Sequence, residues 1–162
     1  MNEAMTQYFS AEKSEALLFM IVGAVAIGLA LWMWLSRSRL RSMAFPLVAI
    51  ALIQITVGTS VFVRTDSQLA GLVSQLQRSP AEFKTAETTR MQVVMKNFEI
   101  YKIVEIGLLA TGVGLLALRR RFQWATGLGC GLVGQCAFML LLDFFAESRG
   151  REYVLALARL GA

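Results

Sequence analysis

The sequence predicts an all-α integral membrane protein, a bundle of four transmembrane helices in which helices 2 and 3 extend into an outward-facing antiparallel helical hairpin. The first observation is composition: 56% of the 162 residues are hydrophobic and 17% are charged, whereas soluble domains average about 25% charged residues. The second is a set of four apolar runs. The third is a polar segment with helical periodicity between the second run and the third. The length predicts one domain over residues 1–162.

Each apolar run is a candidate membrane span. A transmembrane helix needs about 20 apolar residues, and only the third run is shorter than that. However, Ser79-Pro80-Ala81-Glu82 has the pattern of a helix start with a capping box, and no Gly or Pro follows before Gly107. Helix 3 is therefore expected to run from Pro80 to about Leu118. The predicted spans are 16–35, 43–63, 103–118 and 124–145.

The polar segment 64–102 is predicted to form an extramembrane helical hairpin. Its first half has leucines and a valine at i, i+3, i+4 and i+7, which is one apolar face of a helix. Its second half has another apolar stripe, which serves either to pack the two helices together or to bind a partner protein. The partner surface would consist of Met91, Val94, Met95 and Phe98. A further short helix over 149–162 is predicted to lie at the membrane interface or to pack on the hairpin.

The basic residues predict the orientation of the chain. Six arginines and no acidic residue occur in the two short connections, at 36–42 and 119–121. Short loops rich in Lys and Arg stay in the cytoplasm. We therefore expect a multi-pass protein of a bacterial inner membrane, with both termini and the hairpin 64–102 on the periplasmic side.

Two amides and a glycine motif lie within the predicted spans. Gln54 and Gln135 are expected near the bilayer midplane, where each needs a hydrogen-bond partner on another helix or subunit, or lines a polar path. Gly127 and Gly131 form a GxxxG motif, which permits close helix packing and is compatible with a homo-oligomer.

A charged cluster is predicted at the outer membrane boundary, because every helix contributes ionisable residues there. Glu105 and Asp143 lie deepest, and ionisable residues inside a span usually face the bundle interior. Arg64 and Lys102 are the expected counter-charges. The cluster is either a structural salt-bridge network or a site for a ligand, ion or proton. Its predicted members are Arg64, Asp66, Asn97, Glu99, Lys102, Glu105, Asp143, Glu147 and Arg149.

Several kinds of chemistry are excluded or disfavoured. The chain has no histidine, which excludes imidazole catalysis and histidine metal ligation. Cys130 and Cys136 lie six residues apart on one predicted helix, too far apart to form a disulfide. We predict no catalytic residues, no metal and no cofactor. The net charge of +5 is explained by membrane topology, so no nucleic-acid partner is expected.

Three function classes remain. The leading expectation is a non-enzymatic protein that acts by binding a protein partner, as an immunity-type protein or an accessory subunit of a membrane complex. The alternative is a small oligomeric transporter or channel, coupled to ions or protons, that uses Glu105 and Asp143. The third is a membrane enzyme with carboxylate acid–base groups, for which the sequence offers no recognisable catalytic motif.

Overall fold

The computed structural model describes residues 1–118 and 121–160, which form a helical protein without strands. A short 3₁₀ turn at Arg41–Met43 precedes the second of four long helices. The predicted all-α class with four helices is confirmed. Arg119 and Arg120, which belong to the second predicted basic connection, lie outside the described residues. The helices are α1 (Asn2–Leu35), α2 (Ala44–Arg78), α3 (Pro80–Ala117) and α4 (Gln123–Ala158).

The helix start predicted at Ser79-Pro80 is confirmed, with one difference. Ser79 is the N-cap residue and Pro80 takes the first helical position. The Ser79 side chain makes no capping hydrogen bond, so the capping box does not form. Instead, the backbone carbonyl of Ser79 accepts a 3.0 Å bond from the Phe83 N–H, which closes the first turn of α3.

All four helices are long and apolar enough to cross a membrane. Each contains 34 to 38 residues, or about 51 to 57 Å at 1.5 Å per residue, compared with a hydrocarbon core of about 30 Å. The excess length of every helix lies at the same end of the bundle. We call residues 16–63, 103–118 and 121–145 the apolar half, and residues 1–15, 64–102 and 146–160 the polar half.

The polar half contains a hydrophobic core made by three helices, with α2 packed against it. The core residues from α1 and α4 show that these two helices also belong to this bundle, whereas the predicted hairpin consists of α2 and α3, with the C-terminal segment at the interface or packed on it. Residues 149–158 are part of α4, which continues unbroken to Ala158, and Gly161 and Ala162 lie outside the described residues. The buried residues of this core are Met5, Tyr8, Phe9, Phe83, Met91, Tyr153 and Leu157.

The predicted partner surface on α3 is used for internal packing. Met91 is fully buried in the core of the polar half, and Met95 lies against Gly150 of α4, where an added Cβ would come within 3.0 Å of the Met95 sulfur. Val94 and Phe98 are partly buried and line an internal cavity. Met91 is therefore closed to a partner by the core, whereas a partner surface at Val94, Met95 and Phe98, which are only partly buried, stays a prediction.

Small residues set the packing of the apolar half. The helices form two antiparallel pairs, α1 with α2 and α3 with α4, and α2 also contacts α4. Gly131 meets Pro46 and Met43, and Gly127 meets the connection at Ser42 and Met43. The GxxxG motif thus brings α4 close to the start of α2 within one chain.

Candidate binding site

A cavity of about 680 Å³ lies between the helix pairs, at the boundary of the apolar and polar halves. All four helices line it. Val57 of α2 and Tyr101 of α3 are about half exposed, so the cavity opens sideways between these two helices. Its lining combines apolar side chains with six acidic or basic residues of α1, α2, α3 and α4. These are Glu12, Glu15, Arg64, Arg90, Asp143 and Arg149.

Most of these cavity charges form ion pairs between different helices. Arg64 of α2 lies 3.4 Å from a Glu12 oxygen of α1, and Arg149 of α4 pairs with Glu15 of α1. These contacts place α1 between α2 and α4 at the level of the cavity. The carboxylate of Asp143 forms no salt bridge within the described chain.

A second group of ion pairs meets at Glu147 of α4, beside the cavity. Lys102 of α3 lies 2.5 Å from one oxygen of Glu147 and so joins the two helices, whereas Arg151, which lies 2.6 Å from the other oxygen, is on α4 itself. Arg64 and Lys102 are the predicted counter-charges of Glu105 and Asp143, and neither forms a salt bridge with them. Lys102 lies about one turn from Glu105 toward the polar half, at the level of Glu147.

Buried oxygen atoms without a hydrogen-bond donor mark the two deepest carboxyl groups. Glu105 is only 4% exposed, and its Oε2 has no partner among the described residues. The same holds for Oδ2 of Asp143 and Oε2 of Glu12, both of which belong to cavity-lining residues. Burying a carboxylate without donors is unfavourable. These oxygen atoms can therefore accept hydrogen bonds from a bound group.

A buried polar network in the polar half reaches the cavity through Arg90, and the sequence reasoning missed it. Glu87 is 1% exposed and accepts bonds of 2.8 and 2.7 Å from Nε and Nη2 of Arg90. The Tyr153 hydroxyl donates a third bond of 3.0 Å to the same carboxylate. The sequence signal is that Glu87 lies four residues from both Phe83 and Met91, on the buried stripe of α3.

The surroundings of these polar-half groups shift their protonation. Burial, with the nearby negative charge of Glu12, raises the pKa of Tyr8 to about 12. Burial and the Glu87 carboxylate raise the pKa of Tyr153. Burial raises the pKa of Glu12 against the opposing effect of Arg64, whereas hydrogen bonds from Lys102 and Arg151 lower that of Glu147.

The two amides predicted in the spans are partners. Gln54 Nε2 donates to Gln135 Oε1 at 3.3 Å, and both residues are buried. This bond joins α2 to α4 between the glycine contacts at one end and the cavity at the other. This agrees with the prediction that each amide has a hydrogen-bond partner on another helix, and here both helices belong to one chain.

The remaining predicted cluster members have different surroundings. Asn97 lines the cavity. Asp66 is exposed and pairs with Lys13 at 2.6 Å, and Glu99 is exposed on α3 outside the cavity. The described part of the chain contains no group of three or more Cys, Asp or Glu residues placed to hold a metal ion. Cys130 and Cys136 are both free thiols.

The fold and the cavity define a four-helix protein whose helices are long and apolar enough to cross a membrane, with a mixed polar and apolar site between two helix pairs. Comparison of the chain with protein families, curated proteins and solved structures finds no match. Function is therefore argued from the site itself.

Proposed function

We propose that this protein binds a small amphipathic cation in the cavity between its helix pairs, as a small transporter or channel does. The observation that carries the proposal is the chemistry of the cavity. Apolar side chains of α2 and α3 line its open side, and two of its carboxylates, Glu12 and Asp143, each have a buried oxygen without a donor. Ligand sites typically combine a mostly apolar lining with a few placed polar groups.

The sign of the ligand charge follows from the ion pairs around the cavity. Each lining arginine contacts a carboxylate: Arg64 contacts Glu12, Arg90 contacts Glu87, and Arg149 contacts Glu15. Oε2 of Glu12 and Oδ2 of Asp143 can accept hydrogen bonds. Nη2 of Arg149 also makes no hydrogen bond among the described residues, but it lies against the Glu15 carboxylate, which balances its charge. An ammonium group supplies donors and a compensating charge, whereas an anion would face carboxylates that already lack donors.

The position of the cavity favours an amphipathic molecule. Val57, Val61 and Phe98 line the part of the cavity that opens between α2 and α3, next to the segments predicted to cross the bilayer. An apolar body would replace lipid chains there while its charged group reaches Asp143. The proposal places the basic connection at 36–42 in the cytoplasm and the polar half on the periplasmic side of a bacterial inner membrane.

Binding is tested with two fluorescent probes that share an alkyl body and end in either an ammonium or a carboxylate, using protein in lipid nanodiscs. The ammonium probe is expected to bind the parent protein, and Asp143→Asn to weaken that binding about tenfold through loss of a charge-assisted hydrogen bond. Equal binding of both probes would contradict the proposed charge selectivity.

A matched pair of variants on α2 locates the binding. In Val57→Trp, the larger side chain fills the mouth of the cavity. The control is Val63→Trp, because Val63 is exposed on the same helix outside the cavity. Only the first is expected to block the ammonium probe. Flux of the same cation into liposomes then separates transport from binding alone.

Orientation is tested by labelling intact spheroplasts with an impermeant maleimide. A cysteine at Gln77, which is exposed at the end of α2, is expected to react. One at Ser36, exposed at the opposite end of the bundle, is expected to react only after lysis. The parent protein serves as the control for labelling of Cys130 and Cys136. Labelling at position 36 in intact spheroplasts, with labelling at position 77 only after lysis, would mean that the topology is the opposite of the one proposed.

Protein binding is a second candidate function, favoured by exposed apolar residues in the polar half. Val93 and Ile100 lie seven residues apart on α3, so they share one face, and both are exposed. A partner on this face would be released by Ile100→Glu, while the same change at the exposed but separate Leu155 of α4 would leave it bound. If both variants retain the co-purified partner, this face is not its docking surface.

A further inference from the structure

Two carboxyl groups lie at the same level of the antiparallel pair α3 and α4. The Lys102–Glu147 ion pair fixes the register of the two helices. Glu105 follows Lys102 by three residues, and Asp143 precedes Glu147 by four, so both lie one turn deeper on the same faces. Gly150 of α4 lies next to Met95 and Phe98 of α3, about one turn from the Lys102–Glu147 ion pair in the opposite direction, which agrees with this register.

The cations around this level form salt bridges with other carboxylates, and none of them forms one with Glu105 or Asp143 among the described residues. Lys102 of α3 is held by Glu147, and Arg149 of α4 is paired with Glu15 of α1. On α2, residues 43–63 contain no ionisable side chain, and Arg64, which lines the same cavity as Asp143, is paired with Glu12. Cys136 lies seven residues from Asp143 on α4 and is the remaining titratable neighbour of Glu105.

We propose that Glu105 and Asp143 form a carboxyl dyad that holds one shared proton and exchanges it through the cavity. Both have a buried oxygen without a donor among the described residues, and Glu105 is almost completely buried. Two carboxylates at the same level of one helix pair, in apolar surroundings, do not both ionise readily, because repulsion and desolvation act in the same direction. A single proton between them supplies the missing donor and removes one charge.

The dyad has a direct route for proton exchange, since Asp143 lines the cavity whereas Glu105 lies behind it on α3. In the proposed function, a cation that reaches Asp143 would displace the shared proton into the cavity. This coupling rests on the proposed function. The dyad itself does not, and it is tested without any ligand.

The test is infrared spectroscopy of the protein in nanodiscs at neutral pH, recorded in H₂O and D₂O. The parent protein is expected to show the C=O stretching band of a protonated carboxylic acid, with a deuterium shift. Both Glu105→Gln and Asp143→Asn are expected to remove or displace this band. Glu99→Gln is the matched control, because Glu99 is an exposed carboxylate on the same helix, and it should leave the band unchanged.

Two results would overturn the dyad. One is the absence of a protonated carboxyl band in the parent protein. The other is a band that Glu105→Gln abolishes and Asp143→Asn leaves unaltered, since this would mean that Glu105 is protonated alone. Circular dichroism and gel filtration of each variant confirm that it retains the fold, and no probe is present, so failure of ligand binding cannot produce either result.

Discussion

Replacement of Tyr153 by Phe is expected to destabilise the polar half by about 1.5 to 2 kcal/mol. The Tyr153 side chain is 2% exposed, and its hydroxyl donates to Glu87 Oε1 at 3.0 Å. A hydrogen bond to a charged group contributes about 1.5 to 3 kcal/mol. The lower part of this range applies because Arg90 continues to donate two bonds to Glu87. The aromatic ring remains, so its stacking on Tyr8 at 4.8 Å is kept.

The assay is reversible unfolding in mixed micelles, with a denaturing detergent as the variable and circular dichroism as the signal. Tyr101→Phe is the matched control, since Tyr101 is 52% exposed and is expected to change the free energy of unfolding by less than about 0.5 kcal/mol. If Tyr153→Phe is as stable as the parent, or if both variants lose the same amount, the buried network does not stabilise the protein as argued.

Three further predictions concern packing and pH. Gln54→Leu removes the bond to Gln135 and is expected to lower the free energy of unfolding by about 0.6 to 2 kcal/mol, and less when Gln135→Leu accompanies it. Gly127→Ala brings a Cβ within 2.9 Å of the Met43 backbone nitrogen and should destabilise the protein by about 1 to 3 kcal/mol. Gly134 has open space around it, so Gly134→Ala should be neutral or stabilising. The same detergent titration measures the stability of both variants. Because the pKa of Tyr8 is raised to about 12 from 10.0, its contribution to stability is complete below pH 10 and is lost as the pH rises through 12, by up to about 3 kcal/mol. Tyr8→Phe should therefore lose less stability over that interval, and an equal loss would mean that Tyr8 is not buried as described.

The helices were predictable from the sequence because their signals are local. The four helices were predicted from the apolar runs. The turn between α2 and α3 was predicted from the helix start at Ser79-Pro80. The extension of α1 to Asn2 and the unbroken continuation of α4 to Ala158 were not predicted, since the sequence indicated only a separate short helix at 149–162. Residues 2–15 and 149–158 have modest apolar stripes, and their helical state is stabilised by burying Phe9 and Tyr153 against α3, which is a long-range contact.

The site was only partly predictable for the same reason. The sequence identified Glu105 and Asp143 as deep ionisable residues from their positions within apolar runs. It did not identify which counter-charge faces which carboxylate, because that depends on the register of α3 against α4, where Lys102 meets Glu147. The cavity lies between the two helix pairs, beyond the Gln54–Gln135 bond. It is therefore a property of the assembled bundle.

The most direct measurement of the central claim is photoaffinity labelling of the protein in nanodiscs with an alkylammonium that carries a diazirine in its alkyl chain. Peptide mapping by mass spectrometry is expected to find labels on the cavity residues Val57, Val61 and Phe98, and excess unlabelled cation is expected to suppress them. Labels confined to outward-facing residues such as Leu141 and Phe144, unaffected by the competitor, would show partition into lipid and contradict a cation site between the helix pairs.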